Sequence, residues 1–412
     1  MLVIVDPFSS GAVFARLAKE LYDIDSVAVI TSRTLPASVT GSYRREDFVG
    51  EIAFTDVSQA VAAVENLCNG EPEHILCDSE PGVEIFDVLS GHWGLRPNSG
   101  QSAARRDKFL MQNRLQEASL RHIPHYKASD TDSIVSWCEQ SGLNEFVVKP
   151  MRSFGTDGVH FCATLDEVRV ATDELFGRSD LAGVTISEVL VEERIHGLEF
   201  VVDSVSLDGV HFIVAMFLYD KEIIDGSPLY RTMSAVEINH HPEIAEYARQ
   251  ALTALGIDNG PAHSEIILTA DGPTLVETGA RMHGGQGPWL VEASSTHSLI
   301  GMALASRVVP DEFRRRSETL PTLHTNVVEC FLRAPRAGVV RANRVHELCA
   351  GLDSYFFDTC RQAPGDRVVR TTDLVTSYGP VILANADLAA LERDTKRVLE
   401  LSDEGALLEV VT

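Results

Sequence analysis

The chain has 412 residues, 44% of them hydrophobic, and a formal net charge of −25 at pH 7. That length can bury several cores, so two to four lobes are expected, and the charge excludes phosphate backbones of nucleic acids and anionic membranes as partners. Seven cysteines, odd in number and never in a C-x-x-C pair, point to reduced thiols in a cytoplasm and exclude a disulfide frame or a zinc site.

In chain order, Leu2–Val5, Val27–Thr31 and His74–Cys77 read as short buried strands. Helical stretches over Ala12–Leu21 and Val57–Leu67 separate them, an alternation that predicts a doubly wound parallel sheet. Asp6 and Pro7 interrupt the first strand, so no secretory leader is expected. No apolar run approaches the ~20 residues that span a bilayer. Ser9-Ser10-Gly11 can start a helix, but it is not G-x-G-x-x-G, and a dinucleotide site is not expected there. Glu80, just past the third strand, faces the cleft as a candidate substrate contact. Arg106-Asp107-Lys108 opens a helix running toward Leu120, closed by Pro124.

The strand Phe146–Pro150 carries Lys149 near its end and leads into a loop of small residues, 151–158, containing Ser153, Gly155, Thr156 and Gly158. Converging N–H groups in such a turn suit phosphate oxygens, with the lysine supplying charge. The loop has few apolar anchors besides Phe154 and is expected to be mobile without nucleotide. Thr164 and Glu167 form a capping box for a helix over Leu165–Leu175. Glu188–Glu199 leads into a strand over Phe200–Ser206. Asp208-Gly209 turns the chain back into Val210–Tyr219. His240-His241-Pro242 precedes a helix over Glu243–Leu255 that stops at Gly256.

Next comes a hairpin pattern, His263–Thr269, Ala270-Asp271-Gly272, then Thr274–Arg281. Glu265 and Glu277 are expected on one face, meeting across the strands. Such carboxylates repel unless a cation sits between them, which implies Mg²⁺ or Mn²⁺. Arg281, one step beyond, suits negative charge gathering on phosphoryl or carboxyl oxygens. His263 shares the strand face of Glu265 and is a candidate neighbour of metal or substrate. His283, Gly284 and Gly285 lie in a small-residue loop whose N–H groups can line a substrate carboxylate pocket. Arg314-Arg315-Arg316 reads as a solvated run after a helix.

Arg-Asp-Lys108, Val-Val-Lys149-Pro, the 151–158 loop, Val-Glu192-Glu193-x-Ile195-x-Gly197-x-Glu199, Glu265 and Glu277-x-x-x-Arg281 occur in this order. Together they resemble the ATP-grasp carboxylate–amine ligases, and most closely the L-amino acid ligases that make dipeptides. The resemblance covers roughly residues 75–305. It implies an α/β ATP-grasp fold: an N-terminal parallel-sheet domain over 1–105, an ATP-binding small lobe over 106–200, a catalytic lobe over 201–310 and a C-terminal α/β subdomain over 311–412. It gives Lys108 and Lys149 to the nucleotide phosphates, with the loop of Ser153, Gly155 and Thr156 closing over them. Adenine falls to Glu192, Glu193 and Ile195, the ribose to Glu199, the metals to Glu265 and Glu277, and the acyl phosphate to Arg281. Many relatives read Glu-x-Asn-x-Arg where this chain has Gly279, a departure that points away from D-alanine ligases and carboxylases.

The activity so implied is an ATP- and Mg²⁺-dependent, ADP-forming ligase joining two amino acids, cytoplasmic, with no nucleic acid or membrane partner; a homodimer is compatible with it. Two alternatives stay open. One is a ligase or carboxylase with another carboxylate and nucleophile; the other is a synapsin-like ATP-binding regulatory module, against which the retained carboxylates and Arg281 argue.

Overall fold

The computed structural model describes residues 1–31, 40–54, 56–100, 102–152, 157–180, 183–224, 227–374 and 376–411. Strands β1 (Leu2–Val5), β2 (Ser26–Thr31), β3 (Gly50–Phe54) and β4 (His74–Cys77) form a parallel sheet in the order β3-β2-β1-β4. Three of these match the expected strands. The edge strand β3 went unread, because its Gly-Glu-Ile-Ala-Phe pattern is short and half polar. Both faces are covered, as parallel sheets require. Val3, Val5, Val27 and Val29 pack with Ala60, Val64 and Phe86, while Leu2, Ile4, Ala28 and Leu76 pack with Phe14, Ala15 and the helix Leu299–Val308.

The next lobe is an antiparallel sheet of β5 (His125–Ala128), β6 (Phe146–Pro150), β7 (His160–Cys162) and β8 (Val189–Glu193), in the order β5-β8-β6-β7. Helices Thr131–Ser141 and Leu165–Leu175 cover it through Ile134, Val168 and Leu175. Thr164 Oγ1 accepts from Glu167 N–H at 3.2 Å, as a capping residue should. The reciprocal bond differs from the expected box: the Glu167 carboxylate accepts from Ala163 N–H.

The main sheet is antiparallel and eight-stranded. It contains β9 (Leu198–Leu207), β10 (Val210–Ile224), β11 (Ser227–Val236), β12 (Gly260–Thr269), β13 (Gly272–Gly279) and β14 (Asn326–Phe331). After β15 (Gly338–Asn343) come β16 (Tyr355–Asp358), β17 (Arg367–Val368), β18 (Pro380–Asn385) and β19 (Leu408–Val411). The order is β13-β12-β9-β10-β11-β14-β18-β16, so the sheet runs on past residue 310, and among the described residues β17-β15-β19 form a further, separate sheet. Leu299–Val308 is the layer shared by the first sheet and this one, touching β4, β9 and β12. His241 sits where the chain enters helix Pro242–Ala254, its carbonyl accepting from Ile244 N–H and its ring on Phe200. The three consecutive arginines are exposed, but they close the helix Pro310–Arg316 instead of following it, where cations suit the helix dipole.

Arg105 ties the first domain to the main lobe. It is 1% exposed, meets Asp87 at 2.8 Å and donates to the carbonyls of Ser99, Leu255 and Gly256. Removing one partner of such a pair strands the other charge out of water. Arg105→Met is therefore expected to lower stability by about 3–5 kcal/mol. Urea unfolding measures this, and a loss below about 1 kcal/mol, the worth of an exposed pair, would show the contact to be dispensable.

Candidate active site

A cavity of about 420 Å³ lies between the small lobe and the main sheet. Its floor is the β12–β13 hairpin. Glu265 pairs directly with Glu277, and the register then slips so that Ile266 faces Leu275. The tight turn is Ala270-Asp271, with Gly272 opening the return strand at φ +120.

The carboxylates are not a bare repelling pair. Lys108 Nζ lies 2.6 Å from Glu277, and His263 Nε2 lies 3.7 Å from Glu265. This corrects the sequence argument, in which only a metal could offset them. Burial works against the charge of Lys108, yet Glu277, then Glu80 and Glu265, outweigh it and hold its pKa above the ordinary value. Both carboxylates keep partly exposed side chains at the cavity wall, 15% and 24%, so a divalent cation can reach them. Two carboxylates on one face are the hard oxygen donors that Mg²⁺ or Mn²⁺ takes.

Lys149 and Glu192 form a second pair at 2.6 Å, almost wholly buried in the small lobe. Glu192 Oε1 is buried without a hydrogen-bond partner among the described residues. Glu193 N–H donates to Pro124 O, and Pro124 has no N–H to return the bond. Ile195 N–H makes no hydrogen bond among the described residues. One short stretch at the cavity wall thus holds unused donors and acceptors, the pattern an adenine edge requires. Glu199 also lines the cavity, but its carboxylate is hydrogen-bonded to Lys221, whose ammonium lies 4.1 Å from the Tyr230 ring centroid. Burial raises the pKa of Glu199, and Lys221 opposes that rise. Ser153, Gly155, Thr156 and Phe154, with the expected mobility of their loop, lie outside the described residues.

Arg281 projects from the end of β13 and donates from Nε to Glu80 at 2.8 Å. Arg106 meets the other Glu80 oxygen at 3.1 Å. Burial works against charge on Glu80, but Arg106 and Arg281 hold its pKa below the usual value. Glu80 therefore faces Arg281, and it does not line the cavity itself. Gly279 is pressed against this pair: a Cβ there would lie 2.7 Å from Glu80 Oε2. Gly284 and Gly285 line the cavity beside Arg281, anchored by buried Met282.

His263 and His283 share a partner that the sequence did not reveal. Asp203, on β9, accepts from His263 Nδ1 at 3.2 Å and from His283 Nδ1 at 2.9 Å, and the two rings lie tilted against each other with centroids 4.1 Å apart. The two imidazoles titrate in opposite directions. Burial opposes a charge on His263, but its hydrogen bond to Asp203 and the neighbouring Glu265 carboxylate push its pKa up to about 9. Burial, with the neighbouring His263 charge, lowers that of His283. Glu265, despite its burial, is held down at about 2 by His263, Lys221 and Lys108. The only sequence signal for Asp203 was a lone charge in the apolar run Phe200-Val-Val-Asp203.

Residues 143–288 match the family model of the ATP-grasp domain. Over 335 residues the chain is 31% identical to dapdiamide A synthase of Enterobacter agglomerans, covering 80% of this chain and 78% of that protein. The crystal structure of an L-amino acid ligase from Bacillus licheniformis matches 100% of this chain and 98% of its own, with TM-score 0.73 and 15% identity. Carboxyaminoimidazole ribonucleotide synthase from Aspergillus clavatus, complexed with ATP, matches over 98% of each chain with TM-score 0.69 and 13% identity. At those identities the two structures speak for the fold. Among the described residues no helix is long and apolar enough to cross a membrane, and all seven cysteines are free thiols.

The Asp203–His263–Glu265 chain predicts a pH signature in metal-free, nucleotide-free protein. The His263 pKa rises from 6.5 to about 9 on folding, so its contribution is full below 6.5 and lost as pH climbs through about 9. The Glu265 pKa falls from 4.5 to about 2, so its contribution is present above 4.5 and lost as pH falls toward about 2. The difference in Tm between wild type and His263→Gln is expected to peak between about pH 4.5 and 6.5 and to shrink above about 9. A difference independent of pH would mean that His263 acts by packing alone.

Proposed function

Because the chain belongs to the ATP-grasp ligases, close to the L-amino acid ligases, we propose that it joins the carboxylate of one amino acid to the amine of another through an acyl phosphate, releasing ADP and phosphate. The observation that carries this reading is the meeting, in one cavity, of two facing carboxylates with Lys108, Lys149 and Arg281. A carboxylate is a poor electrophile, and phosphorylation gives it a leaving group that an amine can displace. What the protein must supply is position and charge.

In this reading Lys108 and Lys149 take the nucleotide phosphates, exchanging their present partners Glu277 and Glu192 for phosphate oxygens. Glu192, Glu193 and Ile195 hold adenine, and Glu199 with Lys221 faces the ribose. Glu265 and Glu277 would hold Mg²⁺ or Mn²⁺, which supplies charge neutralisation on the phosphates. Arg281, fixed by Glu80, presents its guanidinium to the donor carboxylate, then to the acyl phosphate and the tetrahedral adduct formed as the amine attacks. The incoming amine loses a proton and phosphate departs. Dapdiamide A synthase is, by name, the synthase of dapdiamide A, and the Bacillus licheniformis protein is an L-amino acid ligase, which favours an amino acid substrate here.

Glu277→Gln keeps shape but removes a charge that a metal requires. Turnover is expected to fall at least ~10²-fold, the scale of losing one preorganised electrostatic group. Amino-acid-dependent ADP release measures it, and a near-normal rate would remove Glu277 from the metal site. Product chemistry tests the route itself. ¹⁸O in the donor carboxylate should appear in the released phosphate, and Arg281→Ala should depress kcat far more than it raises the KM for ATP. Unlabelled phosphate, or AMP as the nucleotide product, would overturn the acyl-phosphate route.

A further inference from the structure

β14 reads Asn326-Val-Val-Glu-Cys-Phe331, a single acid in an apolar strand. Alternation sends Val328 and Cys330 into the C-terminal core and sets Val327, Glu329 and Phe331 on the opposite face, beside Met233 of β11 and Ile382 of β18. Glu329 is 3% exposed and lines the cavity. Glu277, Glu192, Glu199 and Glu80 each meet a lysine or arginine, and Glu265 meets His263. Glu329 has no ion pair and no hydrogen bond among the described residues, and burial alone pushes its pKa up to about 8. A buried carboxylate without a cation is costly, and a fold that keeps one at a cavity wall leaves a place for a ligand's cation.

We propose that Glu329 is the counter-ion for the α-ammonium of the amino acid that donates its carboxylate, and so selects amino acids over carboxylic acids lacking an amine. The inference rests on the ligase reading above. Pairing with a buried carboxylate keeps that ammonium protonated, so the donor's own amine is not the nucleophile; the acceptor's amine, which must lose its proton to attack, belongs elsewhere in the cavity.

Glu329→Gln tests this with a panel of standard L-amino acids as donors, each compared with its 2-hydroxy acid. The donor KM should rise roughly 10- to 100-fold, the scale of one charge-assisted hydrogen bond, with the KM for ATP and for the acceptor unchanged. Wild type should discriminate strongly against the hydroxy acids, and Glu329→Gln should lose most of that discrimination. The Tm of the ligand-free variant should hold or rise, because folding no longer has to hold a buried carboxyl against its ionisation. An unchanged donor KM, a rise shared by ATP, or equal losses on amino and hydroxy acids would overturn the proposal. If wild type released no phosphate with any amino acid, the ligase reading would fail. Calorimetric titration of the same panel into ADP-saturated protein would still decide this one: tighter binding to wild type than to the variant supports it, and equal binding overturns it.

Discussion

Side chains on a strand alternate between faces, so a slip of one residue between β12 and β13 would turn Glu265 and Glu277 away from each other. Their direct pairing is protected from both sides. The two-residue turn at Ala270-Asp271 sets the register at the far end, and β9 fixes β12 along nearly its whole length, from Gly260 opposite Ser206 to Leu268 opposite Leu198. The register change beyond Glu265 absorbs one extra residue of β13 without disturbing the carboxylates. His263, two residues before Glu265, falls on the same face, within reach of Asp203. Arg281 lies just beyond the end of β13. The facing carboxylates, the histidine network and the arginine are thus consequences of one strand alignment.

With a net charge of −25 the chain as a whole should repel a nucleoside triphosphate. The cavity answers this locally by importing cations from different parts of the fold. Lys108 comes from the helix after the first domain, Lys149 from the small lobe, Lys221 from β10 and Arg281 from the end of β13. Each rests on a glutamate. These pairs keep buried charges compensated in the ligand-free chain, and because they form between separate elements they can be exchanged for ligand charges without unfolding any element. In a site partly shielded from water, such exchanges weigh more than the distant surface acids, which solvent and salt screen.

Much of this was legible in the sequence because it is locally encoded. The strand Phe146–Pro150 and the helix Leu165–Leu175 have the bounds that pattern and capping gave them, and the hairpin announced itself through its turn and its apolar runs. Asp203, Lys221 and Glu329 were not legible. Asp203 and Glu329 are lone charges in apolar runs and Lys221 sits between Asp220 and Glu222, and the meaning of each depends on which strand lies beside it, as β12 does for Asp203 and β11 and β18 do for Glu329. Glu80 was seen as a cleft residue, but its role as the partner of Arg281 comes from a contact across 201 positions of chain. Local pattern carries the elements; long-range pairing assigns the partners.

Gly279 joins the two levels. Read from the motif alone, it is a missing ligand, the place where many relatives carry an asparagine. In the fold it is a filled position, because the carboxylate of Glu80 occupies the volume that a side chain at 279 would take, with Arg281 Nε also only 3.2 Å from the absent Cβ. An amide at 279 and the Glu80–Arg281 pair therefore compete for the same space. The chain gives up one candidate metal ligand and gains an arginine whose direction is fixed by a carboxylate that Arg106 also holds. The backbone of Gly279 is not in the left-handed region, so what excludes a larger residue is crowding and not strain. A guanidinium already aimed needs no reorganisation when charge develops near it, which is where preorganised groups contribute most.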